Sequence, residues 1–316
     1  MDCWCDFSYI FTYPCESNSI KIMNVLSLFD GISCGRLALD RANIEYDRYY
    51  SSEIDKHAIN VAMRNYPDTV QIGDIKKINT LFAPKIDLII GGSPCQSFSR
   101  SGDGTGFKGK SGLFWEYIRV LKELNPKYFL LENVVMKKEW EDIITEAIGV
   151  EPFMIDSKFF SAQKRQRLYW TNIPFDKNIV DRNINILDIL EPNGDEKIIN
   201  DHPVVISKTN NIFKIRNATK LGYLEAINGD CVNLEVPNSK TRRGRVSNGK
   251  TNTLNTACNY GVVVNDNIRE LNIIEYERLQ TLPDGFTEGP SIRERKKMIG
   301  NGWTVDVISH IFKGIK

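Results

Sequence analysis

Residues 86–99 read Ile86-Asp87-Leu88-Ile89-Ile90-Gly91-Gly92-Ser93-Pro94-Cys95-Gln96-Ser97-Phe98-Ser99. The apolar run over 86–90 has the length and character of a short buried strand. Two glycines and a proline turn the backbone sharply after it, which brings Cys95 out just past the strand's end. In an open α/β sheet, ligands bind outside the carboxyl ends of the strands. A cysteine so placed is a candidate nucleophile, because its thiolate is the most readily formed strong nucleophile among side chains. The competing interpretation is a small inert thiol closing a core strand. For an isolated Pro-Cys pair that plainer interpretation is the stronger one, and the company the stretch keeps decides between them.

Working outward, strand and helix patterns alternate from Asn24 onward. An apolar strand over Asn24–Phe29 is followed by the turn Asp30-Gly31-Ile32-Ser33-Cys34-Gly35 and a helix through Leu37, Leu39 and Ala42. A second strand over Tyr46–Ser52 ends at Glu53, and a helix over Asp55–Asn65 leads to a short strand and Gly73-Asp74-Ile75. After the opening stretch come a Gly/Ser/Lys loop over 99–111, a helix over Leu113–Leu124, and a strand over Tyr128–Leu131 running into Glu132-Asn133-Val134. This alternation predicts an α/β fold with a doubly wound, mostly parallel sheet. The turn at 30–35 has neither the GxGxxG spacing of dinucleotide folds nor the GK[ST] of a P-loop. Its glycines allow a ligand close to backbone N–H groups at a helix N-terminus, and Glu53 stands where a ribose-binding acid is expected. A nucleoside-containing ligand and a plain tight turn both fit. Glu132 ends its strand on the same sheet edge as Cys95, as a candidate general acid or a surface glutamate. Arg165 and Arg167 are two apart, so in a strand both would share one face, suited to planar hydrogen-bonding partners; a solvated basic stretch is the alternative.

The 316 residues are 41% hydrophobic and 26% charged, the composition of an ordinary globular protein with a sizeable core. No apolar run approaches the roughly 18 residues of a membrane span. The seven cysteines (3, 5, 15, 34, 95, 231, 258) include no CxxC pair, and they read as reduced thiols of a cytosolic protein, with no zinc site. The net charge of +1 conceals an asymmetry: residues 208–250 carry nine basic side chains against three acidic ones. Such a block in a near-neutral protein suggests a polyanionic partner. Residues 1–22 carry Trp4, Phe7, Tyr9 and Phe11 without period and lack the marks of a signal peptide; they are read as an N-terminal extension of unknown role.

Taken in order, the Phe29-to-Gly35 turn, Glu53, Gly73-Asp74-Ile75, Ser93-Pro94-Cys95-Gln96, Glu132-Asn133-Val134, Gln163-x-Arg165-x-Arg167, Thr253-Leu254 and Gly300-Asn301 resemble the motif series of the DNA cytosine-5 methyltransferases. Residues 269–287 are similar to the segment that leads into the last motif. The resemblance runs from about residue 24 to 316, leaving 171–240 unmatched, and is to the bacterial or phage type. Asp30 is also similar to the branch containing the eukaryotic de novo enzymes, where many bacterial members have alanine. A second departure is Gly300-Asn301-Gly302, where the family usually has Gly-Asn-Ser.

The resemblance implies a Rossmann-like methyltransferase domain over 23–175 plus 266–316, with a small, mainly β or irregular target-recognition domain over 176–265. It implies S-adenosylmethionine as cofactor and double-stranded DNA as partner. Methyl transfer to C5 of a flipped-out cytosine would run through a covalent bond from Cys95 to C6, with Glu132, Arg165 and Arg167 as the other catalytic residues. The implied cofactor residues are Phe29, Asp30, Gly31, Ile32, Ser33, Cys34 and Gly35 for the methionine part, and Glu53 for the ribose. Asp74 is assigned to the adenine amino group, and Ile54 and Leu113 to its faces. Ile75, Ser93, Pro94, Asn301, Gly302 and Trp303 complete the set. Expected DNA contacts are Gln96, Ser97, Ser99 and Ser101 on the loop over the base, Arg242, Arg243 and Arg245 in the basic block, and Thr253 and Leu254. The protein is expected to act as a monomer in the bacterial or phage-infected cytoplasm, with no membrane or metal partner; a cognate restriction endonuclease would accompany a restriction–modification role. An RNA cytosine-5 methyltransferase, a catalytically inactive DNA-binding homologue and a nicotinamide oxidoreductase are the competing readings. The recognition insert, the intact Cys95 and Glu132, and the missing GxGxxG argue against them in turn.

Overall fold

The computed structural model describes residues 22–94, 107, 110–192 and 197–316. The N-terminal extension before residue 22 lies outside them, as do Cys95, Gln96, Ser97, Ser99 and Ser101.

A seven-stranded sheet forms the centre of the molecule. In chain order its strands are β1 (Met23–Leu28), β2 (Tyr46–Ser52), β3 (Val70–Gln71), β4 (Leu88–Gly92), β5 (Tyr128–Val134), β6 (Phe153–Asp156) and β7 (Gln166–Thr171). Their spatial order is β3-β2-β1-β4-β5-β7-β6. The pairs from β3 across to β5 are parallel, and β7 runs antiparallel between β5 and β6. Val25 and Leu28 of β1 and Leu88, Ile89 and Ile90 of β4 are completely buried. Central parallel strands covered on both faces are apolar on both sides in this way.

Helices α1 (Cys34–Arg41), α2 (Lys56–Asn65), α3 (Phe114–Leu124) and α4 (Lys138–Ile148) connect the strands. Asp55 caps α2 by accepting from the His57 N–H at 3.0 Å. Gly149 ends α4 in the left-handed conformation, where glycine carries no Cβ penalty. The two faces of the sheet carry separate apolar cores, one around Tyr49, Ile90 and Phe312 and the other around Phe114, Tyr117 and Trp170.

The insert after β7 builds two antiparallel sheets. Strands β8 (Val205–Thr209), β9 (Ile212–Arg216) and β10 (Tyr223–Ala226) make one; β11 (Asp230–Asn233), β12 (Val246–Asn248), β13 (Tyr260–Val264) and β14 (Asn267–Glu270) make the other. A small core around Phe213, Ile215, Val232 and Ile268 holds them together. Both of the insert's expected boundaries fall within packed structure. The hairpin β13–β14 spans the division expected at 265/266, because Val262 and Val263 pair with Arg269 and Ile268. At the other end, Ile186 and Ile189 belong to the core of the large sheet, and Arg182 pairs with Asp306. Residues 182–189 thus meet both the large sheet's helices and the insert, where Ile186 N–H bonds Gly249 O at 2.7 Å.

The chain returns through α5 (Ile273–Leu279), α6 (Ile292–Asn301) and α7 (Val305–Phe312). Helix α7 lies against α1, where Asp306 meets Arg41 at 2.6 Å. This return delivers residues 297–303 to the carboxyl edge of the sheet, beside the ends of β1, β4 and β5.

Candidate active site

Strand order reverses between β1 and β4, and the crevice there is where an open α/β sheet binds its ligand. A cavity of about 320 Å³ occupies it, within the ordinary size range of small-molecule sites. Its walls come from the 29–34 turn, Glu53, the start of α2, the β4 end at Gly92-Ser93-Pro94, Glu132, Arg165, Arg167 and residues 297–303.

The turn after β1 is wound tightly. Phe29, Gly31 and Ser33 have φ of 59°, 60° and 60°, the left-handed region that non-glycine residues avoid. Strain of this kind persists only where surrounding structure enforces it. Two carboxylates do so here. Glu53 Oε2 accepts the Gly31 N–H at 2.8 Å, and its Oε1 accepts the N–H groups of Ile54 and Asp55. Asp30 accepts from Ser33 Oγ at 2.6 Å, Tyr49 OH at 2.7 Å and Ser51 Oγ at 3.0 Å. Burial pushes the Asp30 carboxyl up, and hydrogen bonds from Ser27, Ser33, Tyr49 and Ser51 pull against it. Asp30 borders the cavity, but its oxygens are taken up by hydroxyls of the fold.

At the opposite wall the catalytic expectations converge. Arg167 Nε lies 2.9 Å from Glu132 Oε1, and Trp303 Nε1 donates to Glu132 Oε2 at 3.0 Å. Asn133, next to Glu132 on β5, donates to Ser93 Oγ at 3.0 Å. That bond fastens the carboxylate's strand to the Ser93-Pro94 stem from which Cys95 follows.

Arg165 has partners of its own. It precedes β7, is 4% exposed, and donates to the carbonyls of Leu254, Gly300 and Gly302 at 3.0–3.2 Å. Its guanidinium faces the cavity while clamping the return segment, whereas that of Arg167 is committed to Glu132. Gly300 of the return segment is forced by proximity, and Gly302 is close-packed. A Cβ on Gly300 would come 2.1 Å from Asn255 O, and one on Gly302 would lie 3.2 Å from Met298 O and 3.4 Å from Cys34 Sγ. A serine at 302 would therefore require these neighbours to give way.

The methionine and ribose residues are brought together more fully than the adenine residues. Phe29, Asp30, Gly31, Ile32, Cys34, Glu53, Ser93, Pro94, Asn301, Gly302 and Trp303 all line the cavity. Ser33 is buried behind the turn, and Gly35 is a packing glycine whose Cβ would meet Ile90 at 2.4 Å. Ile54 is 71% exposed, Ile75 is in the core, and Leu113 packs with that core; Asp74 caps the following turn through the Lys76 N–H at 3.0 Å. None of these four lines the cavity. Cys34 does, but burial pushes its thiol up to about 12, which makes it a poor nucleophile.

The cavity also recruits residues that the sequence reading passed over: Asp55, Ala58, Lys297 and Met298. Lys297 Nζ bonds Asp55 Oδ2 at 2.8 Å across the mouth. Burial raises the Asp55 carboxyl, but the bond and charge of Lys297, together with the backbone N–H groups of His57 and Ala58, outweigh it and leave the group below its usual range. The signal that could have found Lys297 is its position one turn before Asn301 on the same helix face.

The expected DNA contacts divide sharply. Arg245 is 1% exposed and donates to the carbonyls of Asn233, Glu235, Val236 and Pro237, bonds that hold the 233–237 turn of the insert. Arg242 is tied to Asn233 Oδ1 and Glu235 Oε2, while Arg243 is exposed. Leu254 is buried at 1%, and Thr253 Oγ1 donates to Lys164 O at 2.9 Å, so these two join the insert to the 163–165 segment. Among the described residues, no cluster of His, Cys, Asp or Glu is arranged to hold a metal, and no helix is long and apolar enough to cross a membrane.

Comparison with known proteins agrees with this geometry. The type II methyltransferase M.FnuDI of Fusobacterium nucleatum is 30% identical over 93% of this chain and 94% of its own length. The orphan methyltransferase M.Rho11sI of Bacillus phage rho11s is 40% identical over 46% of this chain and 32% of its own; the match spans about a third of the length of that phage relative. The crystal structure of the Dnmt2 methyltransferase of S. pombe superposes with a TM-score of 0.64, at 18% identity, covering 92% of this chain and 97% of that one, a likeness of fold. A profile of the family described as C-5 cytosine-specific DNA methylase matches residues 23–316, and the chain belongs to that family.

Proposed function

We propose that this protein transfers a methyl group from S-adenosylmethionine to C5 of a cytosine flipped out of double-stranded DNA, through a covalent bond between Cys95 and C6. The observation that carries the reading is the Glu132–Arg167 pair at 2.9 Å. It stands on the same cavity wall as the Ser93-Pro94 stem and faces the Glu53-braced turn.

The cavity residues fit such a cofactor. Glu53, already ordered by three backbone N–H groups, keeps about one lone-pair position, on Oε2, to accept from a ribose hydroxyl. The left-handed turn at 29–33 lets a ligand lie against backbone. When bound, S-adenosylmethionine supplies an electrophilic methyl group on a sulfonium.

The chain's own residues must then make cytosine C5 nucleophilic. Addition of the Cys95 thiolate to C6 places carbanion character on C5. Glu132 acts as a general acid: its carboxyl group gives a proton to N3, which offsets the negative charge that the thiolate brings to the ring. Arg167 orients Glu132 and offers its remaining N–H groups to the O2 side of the ring, while Arg165 holds residues 300–302 against the cavity. After methyl transfer, water takes the C5 proton, the electron pair of that bond expels the Cys95 thiolate, and the N3 proton returns to Glu132, which restores the ring. A base inside a duplex is out of reach of these groups, so it has to be extruded. The insert carrying β8–β14 is the reading's target-recognition unit, with Arg243 as its candidate duplex contact.

The test uses the full chain. Cys95→Ser should abolish methyl incorporation into DNA while cofactor affinity stays within about twofold of the parent. DNA carrying 5-fluorocytosine should form a stable adduct, located at Cys95 by mass spectrometry. An adduct at another cysteine, or incorporation that disappears after RNase treatment of the nucleic acid, would refute this reading.

A further inference from the structure

Arg167 accounts for only one oxygen of Glu132. The other, Oε2, accepts from the Trp303 indole N–H at 3.0 Å. Two donors on separate elements therefore grip the carboxylate, one from β7 and one from the segment entering α7. A carboxylate has about four lone-pair positions, so each oxygen keeps one, for the proton shared with N3 or for the N4 amino donor of the base.

The surroundings are shaped to this contact. A Cβ on Gly92 would fall 2.9 Å from Trp303 Nε1 and 3.0 Å from Glu132 Oε2. Only glycine at the end of β4 leaves room for the two groups to meet. The same indole lies over Gly35, whose Cβ would approach its ring to 3.3 Å. Trp303 thus touches the turn after β1, the end of β4 and the carboxylate of β5 together. Bulk alone would fill that space. The indole's one polar atom, a donor and nothing else, is aimed at the carboxylate.

We propose that Trp303 is a positioning residue for Glu132, and that its N–H sets the carboxylate's orientation toward N3 of the flipped cytosine. The inference rests on the reading of Glu132 given above and goes beyond a wall residue of the cofactor cavity. Trp303→Phe keeps most of the ring and deletes the donor. A hydrogen bond to a charged acceptor is lost, so kcat should fall about tenfold or more. With S-adenosylmethionine saturating, so that any change of cofactor contact by the smaller ring stays out of kcat, KM for DNA should stay within about twofold, because the bond acts on the reacting geometry. In a Glu132→Gln background, measured by single turnover, the same substitution should cost nothing further, as expected for a residue acting through Glu132.

Parental kcat in Trp303→Phe overturns the proposal. So does a loss that persists in full beside Glu132→Gln, which would mark a structural role. Should Trp303→Phe fail to unfold cooperatively, Gly92→Ala probes the same contact from the other side, and parental kcat there also overturns it. A parent chain that methylates no cytosine in DNA would overturn the functional reading along with this inference, whereas the other outcomes bear on Trp303 alone.

Discussion

Replacing Arg245 by alanine should unfold part of the recognition insert and leave base choice aside. The side chain is 1% exposed and donates to four backbone carbonyls, with its shortest bonds, 2.6 Å each, to Glu235 and Val236. Burial, with Arg242 and Arg216 nearby, pulls the guanidinium below its usual range, so these carbonyls are what make the buried charge tolerable. Alanine removes the donors and strands the carbonyls of the 233–237 turn, whose backbone conformation includes Val236 at φ 44°. Hydrogen bonds involving a charged group contribute about 1.5–3 kcal/mol each. Two strong ones, with partial resolvation of the freed carbonyls, give a loss of about 3–5 kcal/mol. At about 2 °C per kcal/mol for a chain of this size, the melting temperature should drop by roughly 6–10 °C. Thermal unfolding followed by circular dichroism measures the drop, and amide hydrogen exchange should place the lost protection in β11, β12 and β13. Affinity for S-adenosylmethionine should change little, since the cavity lies across the large sheet's edge. A variant that melts with the parent while losing selectivity for its DNA site would refute this account and return Arg245 to the duplex.

Arg243→Ala should do the reverse. Stability is unchanged within about 0.5 kcal/mol, while DNA binding weakens, either with a salt dependence flatter by about one unit for a phosphate contact or with about 1–3 kcal/mol less discrimination at one base for a base contact. Gly300→Ala should cost about 1–3 kcal/mol or more through its overlap with Asn255 O, read as a lower unfolding midpoint in urea. Native alkylation with iodoacetamide at pH 8 should spare Cys34 and Cys258, whose thiols burial pushes up to about 12. At that pH only about one molecule in ten thousand carries either thiolate, and labelling should rise about tenfold per pH unit until the fold opens. Peptide mapping that finds Cys34 modified as fast as an unfolded control would contradict its burial.

The parallel sheet and its ligand edge were legible because the signals for them are local. A run such as Leu88-Ile89-Ile90 is buried on both faces, so it reads as continuous apolar sequence, and the glycines and proline behind it announce the turn within a few residues. Glu53 and Glu132 could be placed at strand ends by the same counting, and the structure sets both on one cavity. The insert was legible as a break in the alternation, but its edges were not. Hydrophobic period cannot tell whether Ile186 and Ile189 pack on the large core or the small one, nor that β13 and β14 pair across the expected division.

Residue type and spacing could not sort the arginines. Arg243 and Arg245 are alike in sequence, two apart in a basic block. What separates them is the turn at 233–237, which folds four carbonyls around the Arg245 guanidinium and leaves Arg243 exposed. Arg165 and Arg167 part in the same way, because the return of residues 300–302 supplies carbonyls to the first and β5 supplies a carboxylate to the second. The sequence by itself determined which strand ends carry Glu53, Glu132 and Ser93-Pro94, since period and turn residues act over a few positions. Only the tertiary structure decided what each polar group meets: Trp303 and Glu132 lie 171 residues apart, and the bond between them exists because α6 and α7 carry the chain's end back over the sheet and Gly92 leaves space for it.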